Sequence, residues 1–140
     1  MTAQDTIEHN KAIVRRYQEL YNSNDLDGLD EIVAADLISH NLVPGLPQGL
    51  ASGKRVHMGM LAAFPDYQVT IEDLVGEGDK VVARITMSGA HTGTEFLSLP
   101  ARGKQFKISG ISIFRMASGK IVEHWAVGDT MSLMQQLQAE

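Results

Sequence analysis

The second half of the chain alternates apolar and polar residues through four segments that are separated by turns or a loop. The alternation runs through residues 67–75, 80–91, 105–116 and 121–129, with glycine turns at 76–79 and 118–119. Successive side chains of a strand point to opposite faces, and short glycine turns join antiparallel neighbours. The pattern therefore predicts an antiparallel meander of four strands, followed by a short helix over 130–138, where the apolar spacing becomes helical.

The first half is typical of helices. Apolar stripes predict a helix over 5–21, a second short helix capped by Asp25, and a third capped by Ser52. Residues 37–40 form a short extended piece, and a long loop over 41–52 follows it. Helices followed by antiparallel strands indicate an α+β fold. We expect one domain over residues 1–140, with N-terminal helices packed on a curved, mostly antiparallel sheet that forms a cone with an internal pocket.

Composition excludes several classes of partner. The formal net charge is -5, whereas nucleic acids and anionic membranes require a basic surface. Cysteine is absent, which excludes disulfides and thiol nucleophiles. No pair of histidines has zinc spacing and no dinucleotide fingerprint is present, so we expect no metal and no dinucleotide cofactor. The first residues do not resemble a signal peptide and no apolar run could span a bilayer, so we expect a cytoplasmic protein.

Asp129 is the candidate general acid/base. Strand alternation places it on the same face as Trp125, and a carboxylate beside apolar walls has a raised pKa that suits proton transfer. An Asp directly before a helix is also a favoured N-cap, which would lower its pKa. The two alternatives predict different carboxylate directions, either into a pocket or onto the first N–H groups of the helix.

Three other polar residues are candidates for substrate binding. His40 and Asn41 precede the long loop, where they could orient a polar substrate or lie in solvent. His91 ends the second strand and faces either the pocket or the surface. His124 has the opposite parity to Asp129, so we expect it to face away from the pocket.

Two arginines lie on strands where a charge could be buried. Arg84 and Arg115 could each pair with a carboxylate to activate a water molecule, or could form salt bridges at the rim of the sheet.

Several short motifs, in order along nearly the whole chain, carry a resemblance to a known family. They are Phe64-Pro65-Asp66, Ile71-Glu72-Asp73, Gly78-Asp79-Lys80-Val81, Gly89-Ala90-His91-Thr92-Gly93, Gly119-Lys120-Ile121-Val122-Glu123-His124-Trp125, Asp129 and Gln136-Leu137. The chain resembles the SnoaL-like polyketide cyclase family, within the wider nuclear-transport-factor-like α+β cone superfamily.

The resemblance implies a deep, largely apolar pocket without cofactor or metal. It implies intramolecular aldol condensation, in which the carboxylate at the position of Asp129 removes a proton from an activated carbon and returns it to the new alkoxide. It also places His40 and Asn41 near the substrate, and His91 and Trp125 complete the predicted substrate-binding set. The substrate would be a small apolar or aromatic carbonyl compound.

The sequence departs from the family pattern at Ala90, Ser98 and Arg102, and Ile111 and Ile113 are expected to give the pocket an apolar third strand. The alternatives to a cyclase are an isomerase or an epoxide hydrolase on the same cone, or a non-catalytic binder of apolar metabolites. Hydrolysis would require a second carboxylate and an arginine around a water molecule.

We also predict a homodimer or a higher homo-oligomer. This prediction assigns Phe106, Ile108 and Phe114 to the outer face of the sheet, where a monomer would leave them uncovered.

Overall fold

The computed structural model describes residues 2–41 and 43–140. Its elements are α1 (Ala3–Asn22), a 3₁₀ helix (Asp27–Glu31), β1 (Val33–Ser39), α2 (Leu50–Ala63), β2 (Gln68–Glu77), β3 (Lys80–Ala90), β4 (Gln105–Ala117), β5 (Lys120–Gly128) and α3 (Thr130–Gln138). The predicted α+β class is confirmed. Among the helices of these residues, none is both long enough and apolar enough to cross a membrane.

The sheet has five strands in the order β1-β5-β4-β3-β2. Strands β2 to β5 form the predicted antiparallel meander, and β1 pairs in parallel with β5. The extended piece predicted over residues 37–40 is therefore the end of a longer edge strand that begins at Val33. Parallel pairing joins distant segments, so no local turn signal marks it in the sequence.

The helices begin at different residues from those predicted. α1 begins two residues earlier, because the Thr2 hydroxyl accepts the N–H of Asp5 at 3.0 Å and the Asp5 carboxylate accepts the N–H of Thr2 at 3.0 Å. The segment after Asp25 is a five-residue 3₁₀ helix rather than an α-helix. The cap of α2 is Gly49, and Ser52 is buried inside the first turn of that helix.

The helices cover one face of the sheet, and two apolar clusters hold them there. The larger cluster joins α1 to the middle of the sheet; its members include Val14, Leu20, Val81, Phe114 and Ile121. The smaller cluster joins the end of α2 and the closing helix α3 to β4; it comprises Ala63, Phe64, Phe106, Ile108, Leu133 and Leu137. We call the opposite, helix-free side of the sheet the outer face.

The assignment of Phe106, Ile108 and Phe114 to the outer face is wrong. These side chains are buried in the two clusters, with exposed fractions of 3%, 8% and 3%. Ile111 and Ile113 have the opposite parity on β4 and lie on the outer face, so they do not give the pocket an apolar third strand.

A β-bulge in β5 determines which of its side chains face the helices. Arg115 pairs with Glu123, but the next residue, Met116, pairs with Ile121, so Val122 is the extra residue of β5. Ile121 points into the core. Beyond the bulge the parity is reversed, so Trp125 lies on the outer face and His124 lies inside. The expected orientations of Trp125 and His124 are therefore wrong.

Candidate functional site

A cavity of about 290 Å³ lies between helices α1 and α2 and the concave face of the sheet. Its walls are mostly apolar and include Leu37, Met60, Ile71, Ile85, Met87 and Phe114. Its polar lining groups are Tyr17, Gln18, Tyr21, Asn22, Ser39, Asn41, His57, Tyr67, Ser112 and His124. No Asp, Glu, Lys or Arg of the described residues lines it. An apolar cavity with a few convergent polar groups is the usual form of a small-molecule site.

His124 projects into this cavity from β5. Its ring stacks on Phe114, with ring centroids 4.7 Å apart and planes inclined by 21°, and its centroid lies 6.2 Å from that of Tyr17. The Nε2 atom is buried and has no hydrogen-bond partner among the residues that the structure describes. Burial lowers the pKa of His124 to about 4, so the imidazole is neutral at pH 7.

His57 supplies a second imidazole from α2. Its ring lies 4.8 Å from Tyr21 and 6.4 Å from Tyr67, centroid to centroid. Its Nε2 atom is also buried and lacks a partner in the described part of the chain. Burial lowers the pKa of His57, which favours the neutral ring.

Three tyrosines complete the polar part of the wall. Burial raises the pKa of Tyr21 and of Tyr67 to about 12. Burial, together with repulsion from Tyr21 and Tyr67, raises the pKa of Tyr17 further. All three are neutral phenols at pH 7, which can donate hydrogen bonds but cannot act as bases.

Of the predicted substrate-binding residues, Asn41 lies in the cavity wall. Its Oδ1 atom accepts the backbone N–H of Ala126 at 2.6 Å. With Oδ1 bound to the backbone, Nδ2 is the group that Asn41 can offer to a ligand as a hydrogen-bond donor.

His40 and Trp125 lie outside the cavity, in contact with each other. Their rings stack with centroids 4.7 Å apart and planes inclined by 4°. Glu123 links them to β4, because its two carboxylate oxygens lie 2.6 Å from His40 Nε2 and 2.7 Å from Arg115 Nε. The hydrogen bonds from Arg115 and His40 lower the pKa of Glu123. This cluster fixes the edge of the sheet and does not line the cavity.

His91 is buried in the loop that follows β3, away from the cavity. Its Nε2 atom lies 2.8 Å from the carbonyl oxygen of Thr94, and its backbone N–H donates to the carbonyl of Lys104 at 2.9 Å. Its ring packs against Phe64 at 5.1 Å. These contacts connect His91 to both ends of the loop over residues 92–104, and a role of His91 in substrate binding stays a prediction.

Asp129 is exposed and caps α3. Its carboxylate accepts the N–H of Ser132 at 3.1 Å, and it does not line the cavity. This is the geometry of the capping alternative, and a catalytic role for Asp129 stays a prediction. Arg84 pairs with Asp73 at 2.7 Å and Arg115 pairs with Glu123, so neither arginine forms an ion pair with Asp129.

A metal site is not formed by the described residues. In residues 2–41 and 43–140, no group of three or more His, Asp or Glu side chains is arranged to hold a metal ion.

We predict that the lowered pKa of His124 makes folding stability fall on acidification from about pH 6.5 to pH 4. In this window the unfolded chain binds a proton at His124 and the folded chain does not, so stability rises with pH. The contribution is fully present above pH 6.5 and reaches roughly 3 kcal/mol. Urea denaturation at pH 7, 5.5 and 4.5 measures the free energy of unfolding of the wild type and of His124→Gln. Carboxylates titrate in both proteins, so the difference isolates His124, and equal pH dependence would contradict the prediction.

The comparisons with known proteins agree on one family. Residues 11–137 match the model of the SnoaL-like polyketide cyclase family. Aklanonic acid methyl ester cyclase DnrD from Streptomyces peucetius is 26% identical over 129 residues, which cover 89% of this chain and 88% of that protein.

Solved structures of similar proteins share the fold over nearly their whole length. TsrD from Streptomyces laurentii has a TM-score of 0.84 at 29% identity, covering 95% of this chain and 97% of that chain. IdmH from Streptomyces antibioticus has a TM-score of 0.82 at 30% identity, covering 93% of this chain and 99% of that chain. With most of its length matched, the chain belongs to the SnoaL-like polyketide cyclase family.

Proposed function

We propose that the protein is a cofactor-independent cyclase that closes a ring by intramolecular aldol condensation on a small carbonyl-bearing or polycyclic substrate. The observation that supports this function best is the uncharged, largely apolar cavity in a chain of this family. Such walls favour an aromatic or polyketide-like ligand over a charged metabolite.

The cavity suits the demands of an aldol reaction. The substrate must be folded so that an enolate carbon meets a second carbonyl carbon, and orientation by close walls lowers that barrier. The developing enolate oxygen needs hydrogen-bond donors, and Asn41, Tyr21 and Tyr67 can supply them from the wall. A substrate that fills the cavity would displace water from it, which would protect the enolate from protonation by solvent.

We predict turnover of aklanonic acid methyl ester, the compound in the name of the relative DnrD. Ring closure by aldol addition transfers no atoms to or from the solvent, so the product has the mass of the substrate and a different retention time in liquid chromatography–mass spectrometry. Ala126→Leu, which fills the cavity, should lower turnover at least tenfold. Ala117→Leu, which changes an exposed residue at the end of β4, is the matched control and should leave turnover unchanged.

The same experiment separates the alternatives. Binding without a new product would favour the non-catalytic binder, and a product with a shifted double bond would favour the isomerase. Epoxide hydrolysis has lost its structural support, because the cavity wall holds no carboxylate among the described residues and Arg84 and Arg115 pair elsewhere.

The role of Asp129 is tested by two substitutions. Asn is a good helix cap and cannot act as a base, whereas Ala removes both functions. If Asp129 is only a cap, Asp129→Asn keeps turnover and Asp129→Ala loses about 1 kcal/mol of stability without losing turnover. Turnover and urea denaturation are measured on each variant. Loss of turnover in Asp129→Asn at unchanged stability would establish the catalytic role that the family resemblance implies.

We propose a homodimer formed through the outer face of the sheet. Ile111 and Val127 are exposed to 51% and 72% and are paired across β4 and β5, and Ile113 is paired with Trp125 in the same way. These four side chains form one apolar patch, which a second copy would cover.

Light scattering tests the dimer. We expect a mass near twice the 15.3 kDa of the chain, and a monomer for Val127→Asp. Leu97→Asp introduces the same charge at an exposed loop residue away from the sheet and should leave the mass unchanged. A wild-type monomer at all concentrations would exclude the dimer.

A further inference from the structure

We propose that His124 is the residue that removes and returns the proton in the reaction proposed above, in the place where a carboxylate would otherwise be needed. The inference rests on the proposed function. It is carried by the position of the His124 ring in the cavity wall, with a buried Nε2 atom that no group of the described residues satisfies.

The cavity offers few groups that could accept a proton. Its ionisable lining residues, within 2–41 and 43–140, are His57, His124 and the three tyrosines. A neutral phenol is not a base, so the two imidazoles are the candidates. An unsatisfied polar atom in an apolar wall costs stability, and such an atom is retained where a ligand completes its hydrogen bond.

Of the two imidazoles, His124 is the more firmly positioned. It lies on β5, which has β1 on one side and β4 on the other, and its carbonyl oxygen accepts the N–H of His40 at 3.0 Å. Stacking on Phe114 fixes the plane of the ring. His57 instead packs between Tyr21 and Tyr67 on the helical side.

A hydrogen-bond donor stands beside His124. Ala126 is the next inward residue on β5, and its backbone N–H holds the amide oxygen of Asn41. The amide nitrogen of Asn41 is therefore held near the imidazole, at the same end of the cavity. A substrate carbonyl bound by this nitrogen would place its neighbouring carbon close to Nε2, which is the arrangement that enolate formation requires.

The surroundings of His124 are uncharged on every side. Phe114 faces it from β4, Tyr17 from α1, and Ser39 and Asn41 from β1 and the residues after it. No carboxylate of the described cavity wall stabilises the imidazolium form. His124 is thus a neutral base at pH 7 and a weaker base than an exposed histidine, so it needs a substrate carbon that two neighbouring groups already activate.

The proposed step balances without a co-reactant. Nε2 takes a proton from a carbon flanked by carbonyl or aryl-carbonyl groups, and the C–H electron pair becomes the enolate. The enolate carbon attacks a second carbonyl carbon of the same molecule, forming the C–C bond and an alkoxide. The imidazolium returns its proton to the alkoxide, which gives a β-hydroxy ketone and neutral His124.

The test follows proton removal alone, with 2-tetralone as the probe. The aromatic ring and the carbonyl of this bicyclic ketone both activate the C1 hydrogens, and proton NMR in D₂O measures their exchange for deuterium. We expect the wild type to exceed the buffer rate. His124→Gln should lower the enzymatic rate about 10²-fold or more at saturating ketone, with little change in the half-saturating concentration. His9→Gln, on an exposed residue of α1, is the matched control and should exchange like the wild type.

Further measurements distinguish an effect of the His124 substitution on folding from an effect on catalysis. Circular dichroism and thermal melting check that His124→Gln is folded. If it is not, His124→Ala, which leaves space for a small molecule, should regain exchange on addition of imidazole. Rescue by imidazole is a result that a purely structural role of His124 would not give.

Three outcomes would overturn the assignment. Exchange at the wild-type rate in a folded His124→Gln variant would exclude His124 as the base. Loss of exchange in His57→Gln alone would exclude it as well. Neither result would contradict the cyclase proposal. A wild-type exchange rate that does not exceed the rate in buffer would also exclude His124 as the base. In that case the conversion of aklanonic acid methyl ester decides the proposed function separately.

Discussion

Val122 has no partner on β4, because Arg115 pairs with Glu123 and the next residue, Met116, pairs with Ile121. This one extra residue reverses the parity of the rest of β5. It turns Glu123 to the outer face, where Arg115 and His40 bind its carboxylate, and it turns His124 towards the helices. Without the bulge, a carboxylate would face the cavity and the imidazole would face outwards. The chemistry available in the cavity thus depends on a backbone irregularity rather than on which residue types the strand contains.

The distribution of charge follows from the same constraint. A buried ion without a partner is costly, and the carboxylate of β5, Glu123, is paired with Arg115 and His40 on the outer face. The polar groups that remain inside are neutral at pH 7, because burial depresses the imidazole pKa values and raises those of the phenols. A neutral substrate can enter such a cavity at little electrostatic cost. In the proposed reaction the imidazolium is the counterion of the enolate, and the low dielectric strengthens their attraction.

Local patterns in the sequence predicted the elements well and their faces poorly. Residues 130–138 form α3 as predicted, since the change of period after Asp129 is a local signal. The four strands of the meander were also identified from alternation. Alternation places Trp125 in the pocket, because it does not reveal the bulge at Val122. On β4, which alternates regularly, Ile111 and Ile113 were assigned to the pocket and Phe114 to the outer face, because alternation does not say which face of a strand the helices cover. The missed residue, His124, follows a charged residue at the bulge, and no feature of the sequence distinguishes that bulge from regular strand. The parallel pairing of β1 depends on distant residues and has no local signature either.

The similarity to other family members establishes the fold of this chain but not its chemistry. IdmH and TsrD share the fold at about 30% identity, a level at which the lining of a cavity is free to differ. In this chain the wall holds two imidazoles and no carboxylate among the described residues, whereas the position that the family resemblance marks, Asp129, caps a helix. An imidazole with a pKa near 4 is a weaker base than an ordinary histidine. In the proposed reaction His124 therefore requires a carbon that is already acidic, and this requirement limits the substrates to compounds in which two neighbouring groups activate that carbon.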